Sequence, residues 1–409
     1  MDALKNRTLF GTTHLSKDLI ILLMIGGLYS LSVALSNTFV NVYLWKHTEN
    51  FFKIGIYNLT IVLVQPLAFI LAGRIAKKID RIIVLRLGVI FLAVYFVSVL
   101  LSGHQAERLL ILLGALLGVG YGFYWLAYNV LTFEITEPET RDFFNGFLGI
   151  LNSLGGMAGP LLAGYIISRF KHFTGYTVIF AVSLILFACA AFLSFFMKKR
   201  SARGDYFFAR IILERKYNKN WRMVTNATFF QGIREGTFAF IINIYVYLVT
   251  GSEMALGTYA FVNSIVSFIT YFLASRYIKR KDRKKAILSG GCLLSLSVFL
   301  IIGNVSYTMF LLYSALIAFA YPLVLVPFLS ASYDVIGKGW RAGEMRIEYI
   351  VVKELFLNGG RAAAIMIFLI AVSFFPLKTV LPYLLVVFGS GYLFIYLFVR
   401  HIQLKGVVS

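Results

Sequence analysis

Ionisable side chains stand inside two otherwise apolar stretches of this chain. The first, "FFQGIREGTF" at 229–238, places Gln231, Arg234 and Glu235 near the middle of a segment long enough to cross a membrane. Such groups are costly in hydrocarbon and tend to mark function. Successive residues of a helix project about 100° apart, so Arg234 and Glu235 cannot face one point. We expect one to line a cavity and the other to contact a neighbouring helix, with a purely structural ion pair as the alternative.

A longer polar stripe occupies "RIEYIVVKELFLNGGR", 346–361. At about 100° per residue, four of its charged side chains fall within an arc of about 100°, which must face the interior of a helix bundle or water. Glu348 lies on the other side of the same helix. Glu354 and Glu235 are the only central carboxylates, so they are the candidate sites for a coupling proton. The stripe consists of Arg346, Lys353, Glu354 and Arg361, with Asn358 beside it.

Aromatic and amide side chains in other segments predict an uncharged wall of the ligand-binding site. Aromatic rings with polar tips suit an amphipathic ligand. The alternative is interfacial tyrosine in a chain that is 16% aromatic. The candidates are Tyr29, Asn37 and Asn41 in the first segment, Tyr121, Tyr124, Trp125, Tyr128 and Asn129 in the fourth, and Asn243 in the seventh.

The elements that carry these residues are twelve apolar segments. A membrane-spanning helix needs roughly 20 apolar residues, and only 14% of this chain is charged. The composition therefore indicates an all-α integral membrane protein with twelve transmembrane helices. The segments are 18–44, 52–76, 82–103, 107–133, 142–168, 174–197, 223–249, 254–278, 284–303, 307–333, 344–372 and 377–400.

The segments fall into two similar halves. "LAGRIAKKIDR" at 71–81 returns as "LASRYIKRKDR" at 273–283, and "NVYL" at 41–44 returns as "NIYV" at 243–246. Repeats of this kind are common in secondary carriers. We therefore predict two pseudo-symmetric six-helix bundles, 1–197 and 223–409. The basic linker between them, 198–222, forms either a short amphipathic helix on the anionic leaflet or a solvated connection.

The net charge of +21 reflects membrane topology. Basic residues concentrate in the N-terminal segment, in 74–81, in the linker and in 276–285, while the alternate loops are nearly bare. The positive-inside rule then places both termini in the cytoplasm. We expect a monomer in the cell membrane, in contact with lipids and with no nucleic-acid partner. Cys189 and Cys292 lie in spans, so neither a disulfide nor a metal or other cofactor site is predicted.

The chain resembles the major facilitator superfamily along its whole length. That family has a signature between its second and third helices: Gly, three residues, Asp, a basic residue, any residue, Gly and a basic pair. Gly73, Lys78 and Arg81 fit, but Lys77 stands where Asp is usual and Asp80 where the second Gly is usual. The resemblance implies an inner gate here, with helix capping as the alternative. The second copy carries Lys279, Asp282 and Arg283.

Two further family signatures bear on the direction of transport. "GGMAGPLLAG" at 155–164 resembles a Gly-rich pattern associated with exporters that exchange substrate for an ion, with Gly159 and Pro160 in register. The Arg that many proton-coupled exporters carry in the fourth helix is replaced by Gly114. The resemblance thus favours export and leaves the coupling residue open.

The resemblance also groups the charged residues. In this superfamily the first, fourth, seventh and tenth helices line a central cavity, flanked by the second, fifth, eighth and eleventh. This would place Arg234 or Glu235 and the Lys353–Glu354–Arg361 part of the stripe around one cavity with excess positive charge, suited to an anionic or zwitterionic substrate. Acid–base pairs at the cytoplasmic ends could open and close with the gate or be ordinary surface charge. They are Glu134 with Arg141 and Asp334 with Arg341 or Arg346.

We therefore predict a secondary active transporter that works by alternating access. The expected activity is ion-coupled export or flipping of an amphiphilic or anionic compound, with proton or sodium as coupling ion. A carrier fold that has become a non-transporting scaffold for a partner protein is the main alternative. An enzyme acting on lipid would need a nucleophile–base pair, and ATP hydrolysis would need a phosphate-binding loop. The sequence shows neither pattern.

Overall fold

The computed structural model describes residues 16–135, 138–198, 204–302 and 305–402. Within these ranges the chain is helical and contains no strand. The first half consists of α1 (Lys17–Thr48), α2 (Phe51–Lys78), α3 (Arg81–Ser102), α4 (Leu110–Ile135), α5 (Pro138–Arg169) and α6 (Thr174–Ser194). Then follow α7 (Phe208–Tyr217), α8 (Lys219–Thr250), α9 (Glu253–Tyr277), α10 (Arg283–Ser297), α11 (Tyr307–Gly337), α12 (Arg346–Phe374), α13 (Leu377–Gly389) and α14 (Gly391–Val399).

Twelve helical stretches in the described ranges are long and apolar enough to cross a membrane. They confirm the predicted segments, since α7 belongs to the linker and segments 7 to 12 correspond to α8–α14. The final span, Thr379–Val399, differs from the single helix expected because it is built from α13 and α14, which meet at Ser390. The ninth span continues α10 through a 3-10 turn at Val298–Ile301.

Polar caps fix where several spans begin. Asn50 and Ser252 accept hydrogen bonds from backbone N–H groups at the starts of α2 and α9. Asp80 accepts one from the Ile82 amide at 2.6 Å, which confirms the capping predicted for α3. Asp282 occupies the same position before α10 but makes no capping hydrogen bond, so that part of the prediction is wrong. Its backbone is already helical, so its side chain does not fold back over the first turn.

The two halves meet along two helix pairs, α2 with α12 and α5 with α9. We call the end of the bundle where α2 finishes and α8 begins the linker face, and the end where α1 finishes and α9 begins the opposite face. At the linker face, α7 packs against α8 and α12. Ile211 is fully buried there, and the Trp221 indole N–H donates to its carbonyl at 3.1 Å. The apolar side of the predicted linker helix thus contacts protein.

Candidate functional site

Glycines bring α8 and α12 into backbone contact at the middle of the second half. A Cβ atom on Gly232 would lie 2.0 Å from the Leu357 carbonyl oxygen, and one on Gly360 would lie 1.9 Å from the Phe229 carbonyl oxygen. Only glycine permits this approach. The side chains that flank the crossing are therefore forced together, and they include Glu235 and Arg361.

Glu235 and Arg361 form an ion pair at this crossing. Arg361 Nη2 donates to Glu235 Oε2 at 2.5 Å, while Arg361 Nη1 donates to the amide oxygen of Asn358 at 3.3 Å. The other carboxylate oxygen, Oε1, accepts from Gln231 at 2.8 Å, from Tyr392 at 3.0 Å and from Tyr321 at 3.4 Å. We call these six residues the central cluster. They are Gln231, Glu235, Tyr321, Asn358, Arg361 and Tyr392.

Arg234 points away from its neighbour, as the helical geometry predicts. Its Nη1 donates to the carbonyl oxygens of Leu294 at 3.1 Å and Gly389 at 3.0 Å. The guanidinium also lies 4.5 Å from the ring centre of Phe238. Arg234 thus ties α8 to α10 and α13, and Glu235 pairs with Arg361 instead of with Arg234.

A cavity of about 750 Å³ lies between the halves, beside the central cluster. Among the described residues, its charged lining is Arg234, Glu235 and Arg361, all from the second half. The first half contributes uncharged polar groups. The sequence-predicted residues on the cavity wall are Tyr29, Asn37, Asn41, Tyr121, Trp125, Arg234, Glu235, Asn243 and Arg361, and Pro160 also borders it.

Seven predicted ligand-contact residues do not line this cavity. Lys353 and Glu354 lie about 10–12 Å closer to the linker face than Arg361, at about 1.5 Å per residue along α12. At that depth, the Lys353 ammonium lies 5.7 Å from the ring centre of Tyr333 in α11. The expectation that the whole stripe borders the cavity is therefore wrong, because the cavity spans only part of the length of α12. The seven residues are Tyr124, Tyr128, Asn129, Gln231, Lys353, Glu354 and Asn358.

Three of these seven residues support the cavity wall from behind. Gln231 holds Glu235, and Asn358 holds Arg361. Tyr124 is buried and stacks on Tyr29, with 3.9 Å between ring centres. They position residues that border the cavity.

Several wall residues were missed by the sequence reasoning. Asn58 donates to Asn41 across the α1–α2 contact at 2.9 Å, and Gln65 lies further along α2. An amide inside an apolar span was the available signal for both. Tyr321 and Tyr392 gave no such signal, because their pairing with Glu235 depends on how α11 and α14 pack on α8.

A buried ion pair joins the halves at the linker face. Lys77 Nζ in α2 lies 3.0 Å from Glu348 Oε1 in α12, and their side chains are 8% and 0% exposed. Lys77 also donates to the Glu344 carbonyl at 2.6 Å, and the Phe207 amide donates to Glu348 at 3.3 Å. Lys77, which departs from the family signature, thus makes a charged contact between the halves at the linker face.

The linker closes over this pair. A Cβ on Gly73 would lie 2.8 Å from the Tyr206 hydroxyl oxygen, so glycine leaves room for that side chain. Burial, and secondarily the Glu348 carboxylate, raise the pKa of Tyr206 well above its usual range. The phenol therefore stays neutral beside the carboxylate.

The acid–base pairs at the linker face differ from those expected. Glu134 pairs with Arg81 at 2.7 Å in the first half, and Asp334 pairs with Arg283 at 2.8 Å in the second. Both pairs lie within one half and occupy equivalent positions of the repeat. Arg341 pairs with Glu344, which corrects the expected match to Asp334, while the side chain of Arg141 lies outside the described residues. Lys279 is exposed.

A second ion pair joins the halves at the opposite face. Lys46 of α1 lies 2.7 Å from Glu253 of α9, and Tyr176 donates to the same carboxylate oxygen at 3.0 Å. The Lys46 ammonium also lies 5.2 Å from the ring centre of Tyr247. The cavity therefore lies between two inter-half ion pairs, one on each side.

The Gly-rich stretch of α5 packs against both halves. A Cβ on Gly159 would lie 2.8 Å from the Ala34 Cβ in α1. Across the junction, a Cβ on Gly257 of α9 would lie 2.5 Å from the Pro160 carbonyl oxygen. This stretch lets α5 approach α9 closely along the cavity.

Comparison with known proteins agrees with this architecture. The sequence profile of the Major Facilitator Superfamily matches residues 18–344. The chain belongs to this superfamily. The predicted resemblance is confirmed, and a family of membrane transporters agrees with the prediction that the chain is not an enzyme.

Two bacterial relatives share much of the sequence. "Uncharacterized protein YqgE" of Bacillus subtilis (strain 168) is 55% identical over 401 residues, which cover 98% of this chain and 93% of that protein. "Uncharacterized protein in sodM 3'region" of Geobacillus stearothermophilus is 59% identical over 199 residues, which cover 49% of this chain and 93% of that protein.

Solved structures share the fold at low sequence identity. The human organic anion transporter MFSD10 (TETRAN) is 14% identical with a TM-score of 0.67, over 93% of this chain and 98% of that one. A D-xylose-proton symporter is 12% identical with a TM-score of 0.72, over 94% and 96%. These likenesses show a transporter fold.

Proposed function

We propose that the protein is an ion-coupled secondary active transporter of an organic anion or anionic amphiphile. The observation that carries this proposal is the cavity between the halves, with the Glu235–Arg361 ion pair on its wall. Ionisable groups in a span are costly, and a scaffold could keep apolar residues there. The lining has two guanidinium groups and one carboxylate, an excess of one positive charge that favours an anion.

Alternating access follows from the two inter-half ion pairs. In this proposal, Lys77–Glu348 closes the linker face and Lys46–Glu253 closes the opposite face. Each pair joins helices of different halves, so rocking the halves opens one side only when the pair on that side separates. The Arg81–Glu134 and Arg283–Asp334 pairs lie within halves and keep each bundle rigid. Lys279 and Asp282 have no assigned part in closure.

Orientation and direction complete the proposal. The basic segments 74–81 and 276–285 lie at the linker face, which we assign to the cytoplasm of a cell membrane protein. Protons are the proposed coupling ion because Glu235 and Arg361 share the cavity wall. The α5 stretch carries the family signature associated with export in exchange for an ion, so exchange is the mode that this signature alone favours.

The test is solute-dependent proton movement in proteoliposomes that contain the purified chain and a pH-sensitive dye. The panel comprises small organic anions, anionic amphiphiles and neutral sugars. We expect the wild type to move protons with at least one anion, and Glu235→Gln not to. Glu107→Gln is the matched control, because Glu107 pairs with Lys53 at the opposite face, away from the cavity. A folded wild type that moves no solute of the panel would favour the scaffold reading.

A further inference from the structure

We propose that the cavity binds a hydroxylated organic monocarboxylate together with one proton. In this step the substrate carboxylate replaces Glu235 on Arg361, and Glu235 takes up the proton. The inference rests on the proposed transport function and names the substrate class and the sense of coupling of that site.

The ion pair is accessible from the cavity. The Arg361 side chain is 24% exposed and the Glu235 side chain is 18% exposed, and both line the wall. Arg361 is also held through Nη1 by Asn358, which lies outside the cavity lining. A ligand carboxylate can therefore take the position of Glu235 while Asn358 keeps the guanidinium in place. Arginine suits this exchange because its planar fork binds carboxylates.

The hydrogen bonds of Glu235 identify the oxygen that would be protonated. Gln231, Tyr392 and Tyr321 all donate to Oε1, whereas Arg361 contacts Oε2. When Arg361 turns to a ligand, Oε1 keeps its donors and can remain a carbonyl oxygen. Oε2 loses the Arg361 N–H group and is the oxygen that accepts the proton. A buried carboxylate without a counter-ion is costly, so protonation accompanies the exchange.

The charges balance in this step. A substrate anion and one proton enter, the Arg361–Glu235 contact breaks, an Arg361–substrate contact forms, and Glu235 becomes a neutral acid. The charge of the site plus its ligand is unchanged, so the loaded site carries no added charge across the membrane. The titratable and charged groups that act on Glu235 are Arg361, Lys353 and Glu354 from α12, Tyr321 from α11, Tyr271 from α9 and Tyr392 from α14.

The first-half wall favours hydroxyl groups on the remainder of the ligand. It presents amides from α1 and α2 and carries no charge among the cavity-lining residues. Amides donate and accept hydrogen bonds, which matches hydroxyl groups. A volume of about 750 Å³ is within the usual range for small-molecule sites. The amides are Asn37, Asn41, Asn58 and Gln65.

This arrangement determines the sense of coupling. A cationic substrate would compete with the proton for Glu235 and so favour exchange. An anionic substrate competes with Glu235 for Arg361 and so favours protonation of Glu235. Anion and proton therefore bind together and move in the same direction, unlike the exchange that the α5 signature favours.

The experiment measures binding and proton uptake by calorimetry on the purified chain in lipid nanodiscs. Each probe is titrated at pH 6, 7 and 8 in two buffers that differ in ionisation enthalpy. D-gluconate is the main probe, D-glucose lacks the carboxylate and hexanoate lacks the hydroxyls. We expect D-gluconate to bind with uptake of about one proton, and its affinity to fall about tenfold per pH unit where free Glu235 is ionised. D-glucose and hexanoate should bind at least tenfold more weakly.

Two variants separate the parts of the proposal. Glu235→Gln should bind D-gluconate without proton uptake and with little pH dependence. Glu107→Gln should behave as the wild type. Wild-type binding without proton uptake, or equal proton uptake by Glu235→Gln, overturns the coupling. Equal binding of D-glucose or hexanoate, or no binding of D-gluconate, overturns the substrate class.

These failures are distinguishable from failure of the transport proposal. If D-gluconate fails but another anion moves protons in the proteoliposome panel, transport stands and this inference falls. If no solute moves with folded protein, both fall.

Discussion

The inter-half pair Lys77–Glu348 offers a sharp test of the alternating-access proposal. We consider Lys77→Met, Glu348→Gln and the double variant. Lys77→Met leaves a fully buried carboxylate whose remaining donor among the described residues is the Phe207 amide. Glu348→Gln leaves the Lys77 ammonium its bond to the Glu344 carbonyl, and the Gln oxygen can still accept from Phe207. The two single variants are therefore unequal.

The magnitudes follow from burial. Removing one partner of a buried ion pair costs about 3–5 kcal/mol. Glu348 would be hydrated once the linker face opens. We therefore expect Lys77→Met to destabilise the closed state by about this energy relative to the open state. At about 1.4 kcal/mol per tenfold, the closed-to-open ratio should fall by roughly two to four orders of magnitude. Glu348→Gln should cost about 1.5–3 kcal/mol, the usual value of a charged hydrogen bond. The double variant leaves no buried carboxylate at this position. Its closed-to-open ratio should therefore be higher than that of Lys77→Met.

The assay is distance measurement by electron–electron double resonance between spin labels at Lys78→Cys and Lys219→Cys, after the two native cysteines are replaced. Both positions are exposed at the linker face, one in each half. We expect a single short distance between the two labels in the parent and a long one in Lys77→Met. In the double variant, part of the population should return to the short distance. If Lys77→Met keeps the parent distance, or the double variant opens further, the pair does not hold the linker face closed.

Three other predictions concern packing and the remaining ion pairs. Gly232→Ala should lower the melting temperature measured in detergent, because overpacking costs about 1–3 kcal/mol; Gly149→Ala, whose Cβ would meet nothing within 4 Å, should not. Lys46→Met should speed labelling of a cysteine at Asn41 by an impermeant maleimide, since the Glu253 pair is lost; an unchanged rate would contradict closure there. Arg283→Ala should cost about 1 kcal/mol or less in thermal unfolding, without changing the Lys78–Lys219 label distance.

The sequence was enough to predict the fold because its signals are local. Each span is a continuous apolar run, and each half repeats the same charge packet, so neither inference needs tertiary information. The same local geometry correctly gave Arg234 and Glu235 different partners, although both residues border the cavity, where only one was expected. It also placed Glu348 on the other side of α12 from Arg361, and that side faces α2.

The cavity could be predicted only in part, because the depth of a side chain in the bundle and its contact partners depend on how the helices pack. The helical wheel gave Lys353, Glu354 and Arg361 one direction, yet the cavity reaches only Arg361. Likewise, Glu134 and Asp334 seemed to match bases across the next loop, whereas each pairs with an Arg at the start of α3 or α10. These arginines belong to another pair of helices in the same half. A helical-wheel projection of a single helix cannot reveal such a partner.

The distribution of charge indicates how the two proposed roles would be linked. The halves repeat in sequence, but the charged cavity wall comes from the second half, and the linker-face pair uses Lys77 of the first. Both sites meet on α12, where Glu348 and Arg361 are 13 residues apart, or about 20 Å along a helix. A helix that carries both side chains moves them together when the halves rock. Under the proposed function, occupation of Arg361 can therefore bias the Lys77–Glu348 contact through α12 itself.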